Sequence, residues 1–117
     1  MKVLICGDKN WKSYEVIEEY IKTLPPGSIV IHGDCRGADR MAGFLADRYG
    51  HTVIRCPAEW EKYGRAAGPI RNRRMIEDYH PERVVAFHDN IDKSKGTADM
   101  IRVATAHGIV TEVRSSK

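Results

Sequence analysis

The sequence has little that would tie it to a membrane, a disulfide framework or a structural metal. Its longest unbroken apolar runs, Val3 to Cys6 and Val84 to Phe87, fall far short of the ~18 residues that cross a bilayer. The cysteines number three, Cys6, Cys35 and Cys56, with no Cys-x-x-Cys pair among them. Reduced thiols are therefore expected, with no disulfide, no metal and no cofactor. Met1-Lys2 leads into an apolar stretch too short for a signal peptide, so the expected compartment is the cytoplasm. Charge of one sign is also scarce. Nineteen Lys and Arg against sixteen Asp and Glu give +3, which alone argues for neither a nucleic-acid nor a membrane surface. No segment is of low complexity, and 117 residues at 42% hydrophobic and 30% charged fit one globular domain over 1–117.

What is present is unevenly placed. Lys62, Arg65, Arg71, Arg73 and Arg74 follow one another with no acid between them, and without these five the +3 total becomes −2. Any anion-facing surface is expected to draw on this stretch. Arg73 and Arg74 have Glu77 and Asp78 four residues on, the spacing of exposed helical ion pairs. Arg65 and Arg71 have no such local acid and are better placed for an incoming phosphate or carboxylate, which a guanidinium binds in bidentate fashion. For Arg71 a structural bond to the loop after the fourth strand is the equal alternative.

The periodicity alternates between two kinds. Lys2 to Cys6, Ser28 to His32, Thr52 to Cys56, Arg83 to Phe87 and Ile109 to Val113 read as short buried strands. Between them, Tyr14, Ile17, Ile21 and Leu24 recur at helical steps behind a Ser13 cap. Ala38, Met41, Leu45 and Tyr49 do so up to Gly50, Ile70, Met75, Ile76 and Tyr79 up to Pro81, and Ala98, Ile101, Ala104 and Thr105 up to Gly108. Pro57 to Gly68 is expected to be the longest loop. Strands apolar throughout, alternating with helices of about three turns, predict a three-layer α/β, Rossmann-like doubly wound sheet of five parallel strands in the order 3-2-1-4-5. Ligands in such sheets bind beyond the carboxyl ends of the strands, where the helices change faces.

Two of the loops at those ends share a design. Gly33-Asp34-Cys35-Arg36-Gly37-Ala38-Asp39 and Ser94-Lys95-Gly96-Thr97-Ala98-Asp99 each pass from a strand through a glycine turn to a small residue, an acid and a helix. Glycine permits close backbone approach, and a helix opening offers free N–H groups, so both are candidate phosphate cradles. Either loop alone is also what any tight strand-to-helix connection would look like.

At Gly33-x-x-Arg36-Gly37-Ala38-Asp39, Ala67-Gly68-Pro69-Ile70-Arg71-Asn72-Arg73-x-Met75 and Gly96-Thr97-Ala98-Asp99-Met100 the sequence resembles the YspA-related family of the SLOG superfamily. The resemblance runs nearly end to end. It implies a Rossmann-like domain that senses or processes nucleotides or nucleotide-derived ligands, and it suggests self-association. The same superfamily includes LOG-type phosphoribohydrolases with Pro-Gly-Gly-x-Gly-Thr-x-x-Glu. Laid on Gly96-Thr97, that motif meets Asp92, Lys93 and Ser94 at Pro-Gly-Gly and Met100 at the catalytic glutamate. Asp99 lies one residue earlier, about 100° round a helix. Asp34 departs from the glycine usual in the family's first loop and sets a negative charge beside it.

The expected ligand-binding set is Gly7, Asp8, Trp11, Gly33, Arg36, Gly37, Arg71, Asn72, Gly96 and Thr97, and the candidate acids are Asp39 and Asp99. Both acids fall in first helical turns, where the dipole alone favours a carboxylate; together they suit a ribose diol or an acid/base pair. Trp11 and Trp60 fit either base stacking or packing as a loop cover. The leading expectation is a sensor or carrier domain for a nucleotide or nucleotide-derived phosphorylated ligand. Its alternatives are a nucleotide N-glycosidase or phosphoribohydrolase and a single-stranded nucleic-acid binder. The last is weakened by the −2 balance outside the basic stretch. A homo-oligomer is expected, with no membrane partner.

Overall fold

The computed structural model describes all residues, 1–117. Five strands form one parallel sheet: β1 (Lys2–Gly7), β2 (Ile29–His32), β3 (Thr52–Arg55), β4 (Arg83–Phe87) and β5 (Val110–Arg114). Their order across the sheet is β3-β2-β1-β4-β5, and Leu4 of β1 sits in register with Ile31 of β2 on one side and Val84 of β4 on the other. The α/β doubly wound, Rossmann-like expectation and its strand order are thus met.

Four of the helices connect consecutive strands: α1 (Tyr14–Lys22), α2 (Ala38–Arg48), α4 (Ala67–Tyr79) and α5 (Lys95–Ala106). The central strands β2, β1 and β4 are buried on both faces, each sending alternate side chains to opposite sides. Val3 and Ile5 of β1, Val30 of β2 and Val85 and Phe87 of β4 pack under α1 and α2. Leu4 and Cys6, Ile31, and Val84 and Ala86 pack under α4 and α5. Each fully buried aliphatic side chain contributes about 1.5 to 3 kcal/mol relative to exposure, so two such layers hold the strand ends rigidly in place. The helices change faces where the chain crosses from β3 to β4, which makes the carboxyl ends of β1 and β4 the switch point.

The differences from the sequence reading are local. The stretch from Pro57 to Gly68 is not a plain loop: it holds the single turn α3 (Trp60–Tyr63) and a 3₁₀ turn (Gly64–Ala66), and α4 begins at Ala67, with Pro69 still in its first turn. Pro69 is accommodated there because first-turn N–H groups have no helical acceptor. Ser13 occupies the N-cap position of α1 without capping through its side chain, which turns to Glu15 instead. Neither the Arg73–Glu77 nor the Arg74–Asp78 ion pair forms; the chain's four salt bridges lie elsewhere. No helix is long and apolar enough to cross a membrane.

Candidate functional site

The strand ends bring together the three segments that stood out in the sequence, and a chain of polar side chains joins them. Asp39, in the first turn of α2, is 5% exposed. Its Oδ2 accepts the Gly33 N–H at 3.0 Å and the Cys35 N–H at 3.5 Å, folding the loop after β2 back onto its own helix. Arg71 of α4 reaches the same loop from the opposite face of the sheet. Its Nη1 donates to the Gly33 carbonyl at 2.6 Å and to the Cys56 carbonyl at 3.3 Å, and its Nε donates to Asn72 Oδ1 at 3.0 Å. Asn72, 4% exposed, passes the connection on: Nδ2 donates to the Gly96 carbonyl at 3.3 Å and to Asp99 Oδ2 at 3.0 Å. The loops after β2, β3 and β4 are thereby tied through two adjacent residues of α4.

Burial sets the electrostatics of this chain. Desolvation pushes the Asp39 carboxyl up to about 6, against the pull of the Arg71 charge and the two backbone amides. His32, at the end of β2, is driven the other way, to about 4, mainly by burial. Its Nδ1 accepts the Asp34 N–H at 2.9 Å, while Nε2 has no partner and faces α2 at Gly43. A Cβ at Gly43 would lie 2.5 Å from that nitrogen, which explains a glycine in mid-helix, where it costs about 1 kcal/mol relative to alanine. Burial likewise raises the Cys6 thiol, with the Asp39 charge adding to the effect. All three cysteines are free, and no cluster of three or more His, Cys, Asp or Glu gathers in a metal-binding arrangement.

The candidate residues fall into two groups. Around the loop after β2 the backbone is closely packed. Gly37 caps α2 at φ +79°, and a Cβ there would collide with the Asp8 carbonyl and the Lys9 backbone. Asp8 is a framework residue: its carbonyl accepts the Trp11 and Ala38 amides and its amide donates to the Phe87 carbonyl. That last contact lies beside Gly7, where any Cβ would strike Phe87. Trp11 is 4% exposed and packs edge-on to Phe87 at 5.8 Å, so its ring belongs to the core rather than to an open stacking surface. Arg36 is exposed and donates to Asn10 at 3.3 Å. Asp34, at φ +57°, turns its carboxylate to Arg40 at 3.3 Å, partly neutralising the charge expected to repel an anion.

Around the loop after β4 the backbone is open. Ser94 caps α5, its Oγ accepting the Thr97 amide at 3.2 Å. The Lys95 and Gly96 amides precede the first helical acceptors and have no partner in the protein. A Cβ on Gly96 would meet nothing within 4 Å. Thr97 is buried, Asp99 is engaged by Asn72 and pairs with Arg102, and Met100 is 1% exposed in the core under α4 and α5. The position that carries the LOG-type glutamate thus holds an apolar side chain pointing into the core. Sequence reading missed His32, the Ser94 cap and the bridging role of Asn72. Gly43 inside a helical stripe was the available signal for the first, and Ser94 three residues before Thr97 for the second.

A doubly wound sheet whose glycine loops meet at the strand ends defines a Rossmann-like class. Within that class the chain belongs to the YspA, cpYpsA-related SLOG family, whose profile matches residues 1–63, from β1 through α3. Along nearly the whole chain, the "Gene 61 protein" of Mycobacterium phage D29 is 31% identical over 117 aligned residues, taking in 92% of this chain and 91% of that protein. No solved structure matches.

Proposed function

We propose that the chain binds a nucleotide or nucleotide-derived phosphorylated ligand, with the phosphate seated on the opening of α5. One observation carries this reading: the Lys95 and Gly96 amides are unpartnered, the space over Gly96 is empty of protein, and Asn72 fixes the Gly96 carbonyl from behind. Free amides at a helix opening favour an anion, and the exposed Lys93 and Lys95 side chains add positive charge. Family membership supports a nucleotide-related ligand. Arg71, whose bonds go to the loops after β2 and β3, acts here by positioning Asn72.

A panel of nucleoside mono-, di- and triphosphates tested by thermal shift checks the proposal. At a hundredfold excess over its dissociation constant a ligand stabilises the folded state by about 2.7 kcal/mol, on the order of 10 °C for a domain of this size. A panel in which nothing raises the melting temperature contradicts it.

The hydrolase reading rests on Asp39, a carboxyl buried at the end of β2 beside Gly33, where burial pushes it up toward the range of a general acid or base. It calls for release of free base from a nucleoside monophosphate, lost in Asp39→Asn. Asp99, held by Asn72 and Arg102, is the weaker candidate.

A further inference from the structure

We propose that a second cleft, between the end of β3, α3 and the outer side of α4, binds a small phosphomonoester carrying a sugar-sized ring. The cleft holds about 210 Å³ and is lined by three guanidinium groups, Arg55, Arg71 and Arg74. None of the three forms an ion pair, although the carboxylates of Glu59 and Asp78 share the lining. Arg71 uses Nη1 and Nε within the protein and Arg74 gives one Nη2 bond to Tyr63, while Arg55 makes no side-chain hydrogen bond, so Arg55 and the remaining Arg74 and Arg71 donors are left for an incoming anion.

The rest of the lining suits the part of such a ligand that is not phosphate. Tyr63 forms one wall: its ring lies 5.5 Å from the Arg74 guanidinium carbon and 5.1 Å from Lys62 Nζ, and its hydroxyl accepts from Arg74 Nη2 at 3.1 Å. The Lys62 and Arg74 contacts hold the Tyr63 hydroxyl below its ordinary pKa. Tyr79, Ile70 and Met75 supply an apolar part of the lining. The volume is below the ~300 to 1,000 Å³ of sites for drug-sized ligands, which sets the ligand at sugar-phosphate size rather than that of a dinucleotide. Arg71 has donors to spare, because its Nη2 has only the long 3.9 Å contact to Cys35 Sγ.

This cleft is separate from the opening of α5; the two share only Arg71, which the test leaves in place. The test is calorimetric titration with ribose 5-phosphate of the wild-type chain and of Arg55→Ala, Arg74→Ala and Gly96→Val, each first checked for a cooperative melt. Arg55 and Arg74 are both exposed, so their truncation leaves the core intact. The expected result is saturable wild-type binding, weakened tenfold or more in the two arginine variants and changed less than twofold in Gly96→Val. No saturable binding to the wild type, or a loss in Gly96→Val as large as in the arginine variants, would overturn the cleft assignment.

Discussion

The loops after β2 and β4 carry nearly the same short pattern, glycine then a small residue then an acid opening a helix, and they are built for opposite purposes. In the first, the glycine is Gly37, forced to φ +79° with no room for a Cβ, and the acid is Asp39, which spends its oxygen on the amides of its own loop. That loop is closed on itself. In the second, the glycine is Gly96, helical and facing open space, and the acid is Asp99, turned away to Asn72 and Arg102 so that two amides stay free. The difference lies in who satisfies the helix opening: the loop's own packing in α2, a serine cap and nothing further in α5. A glycine before a helix therefore marks a ligand cradle only when the space over it is empty.

The contrast is broken most severely by placing a side chain on each glycine. Gly37→Val meets both a left-handed backbone and the Asp8 and Lys9 backbones, so a loss of about 4 kcal/mol is expected from strain and overpacking together. Gly96→Val should stay within about 1 kcal/mol of wild type, since it meets nothing and sits in helical backbone. Urea unfolding of the two variants side by side measures this, and equal losses would mean that the loops are built alike.

A smaller effect reads the closed loop after β2 by pH. Folding raises Asp39 from its ordinary 3.8 to about 6, so the native state holds a proton that the unfolded chain releases. Its contribution to stability therefore falls as pH rises from about 4 to 6, by up to ~3 kcal/mol. His32, lowered from 6.5 to about 4, acts in the opposite sense: its contribution is lost as pH falls through the same window. In the wild type the two slopes offset one another. In Asp39→Asn the His32 slope stands alone, and stability should rise more steeply between pH 4 and 6 than in the wild type. Parallel curves for the two proteins would contradict the burial argument.

The link between the loops gives a third, still smaller effect. Asn72→Ala leaves the Gly96 carbonyl, Asp99 Oδ2 and Arg71 Nε without their partner, at an expected cost of about 1 to 3 kcal/mol. Amide exchange should speed up at the opening of α5 more than in α1, which Asn72 does not touch. Uniform acceleration would show that Asn72 only fills space.

The fold was legible because the central strands β1, β2 and β4 are short, mostly apolar runs ending in glycine or a turn, and because two helices on each face need such strands to be apolar on both sides. The order 3-2-1-4-5 is the one expected of this doubly wound fold. The site was legible only in part. Periodicity placed Gly33 and Gly96 in loops after strands and Arg71 on a helix but could not show that Asn72 would bridge Arg71 to Gly96, its bond to Gly96 joining residues 24 apart in sequence. The aromatic and basic loop misled in a similar way. Arg74 stands four residues before Asp78, yet it turns to Tyr63, eleven residues back, because α3 brings that ring onto the face of α4. Trp11 fitted either base stacking or packing as a loop cover, and it packs edge-on to Phe87 in the core.

The central claim is that the opening of α5 holds the ligand's phosphate, and titrating the Gly96→Val protein tests it most directly. The comparison uses a nucleotide that raises the melting temperature of the wild type. The valine side chain leaves the fold standing and occupies the one space the phosphate needs, so the account predicts a native melt and no detectable nucleotide binding. A folded Gly96→Val protein that binds the nucleotide as tightly as the wild type would place the phosphate elsewhere and contradict the account.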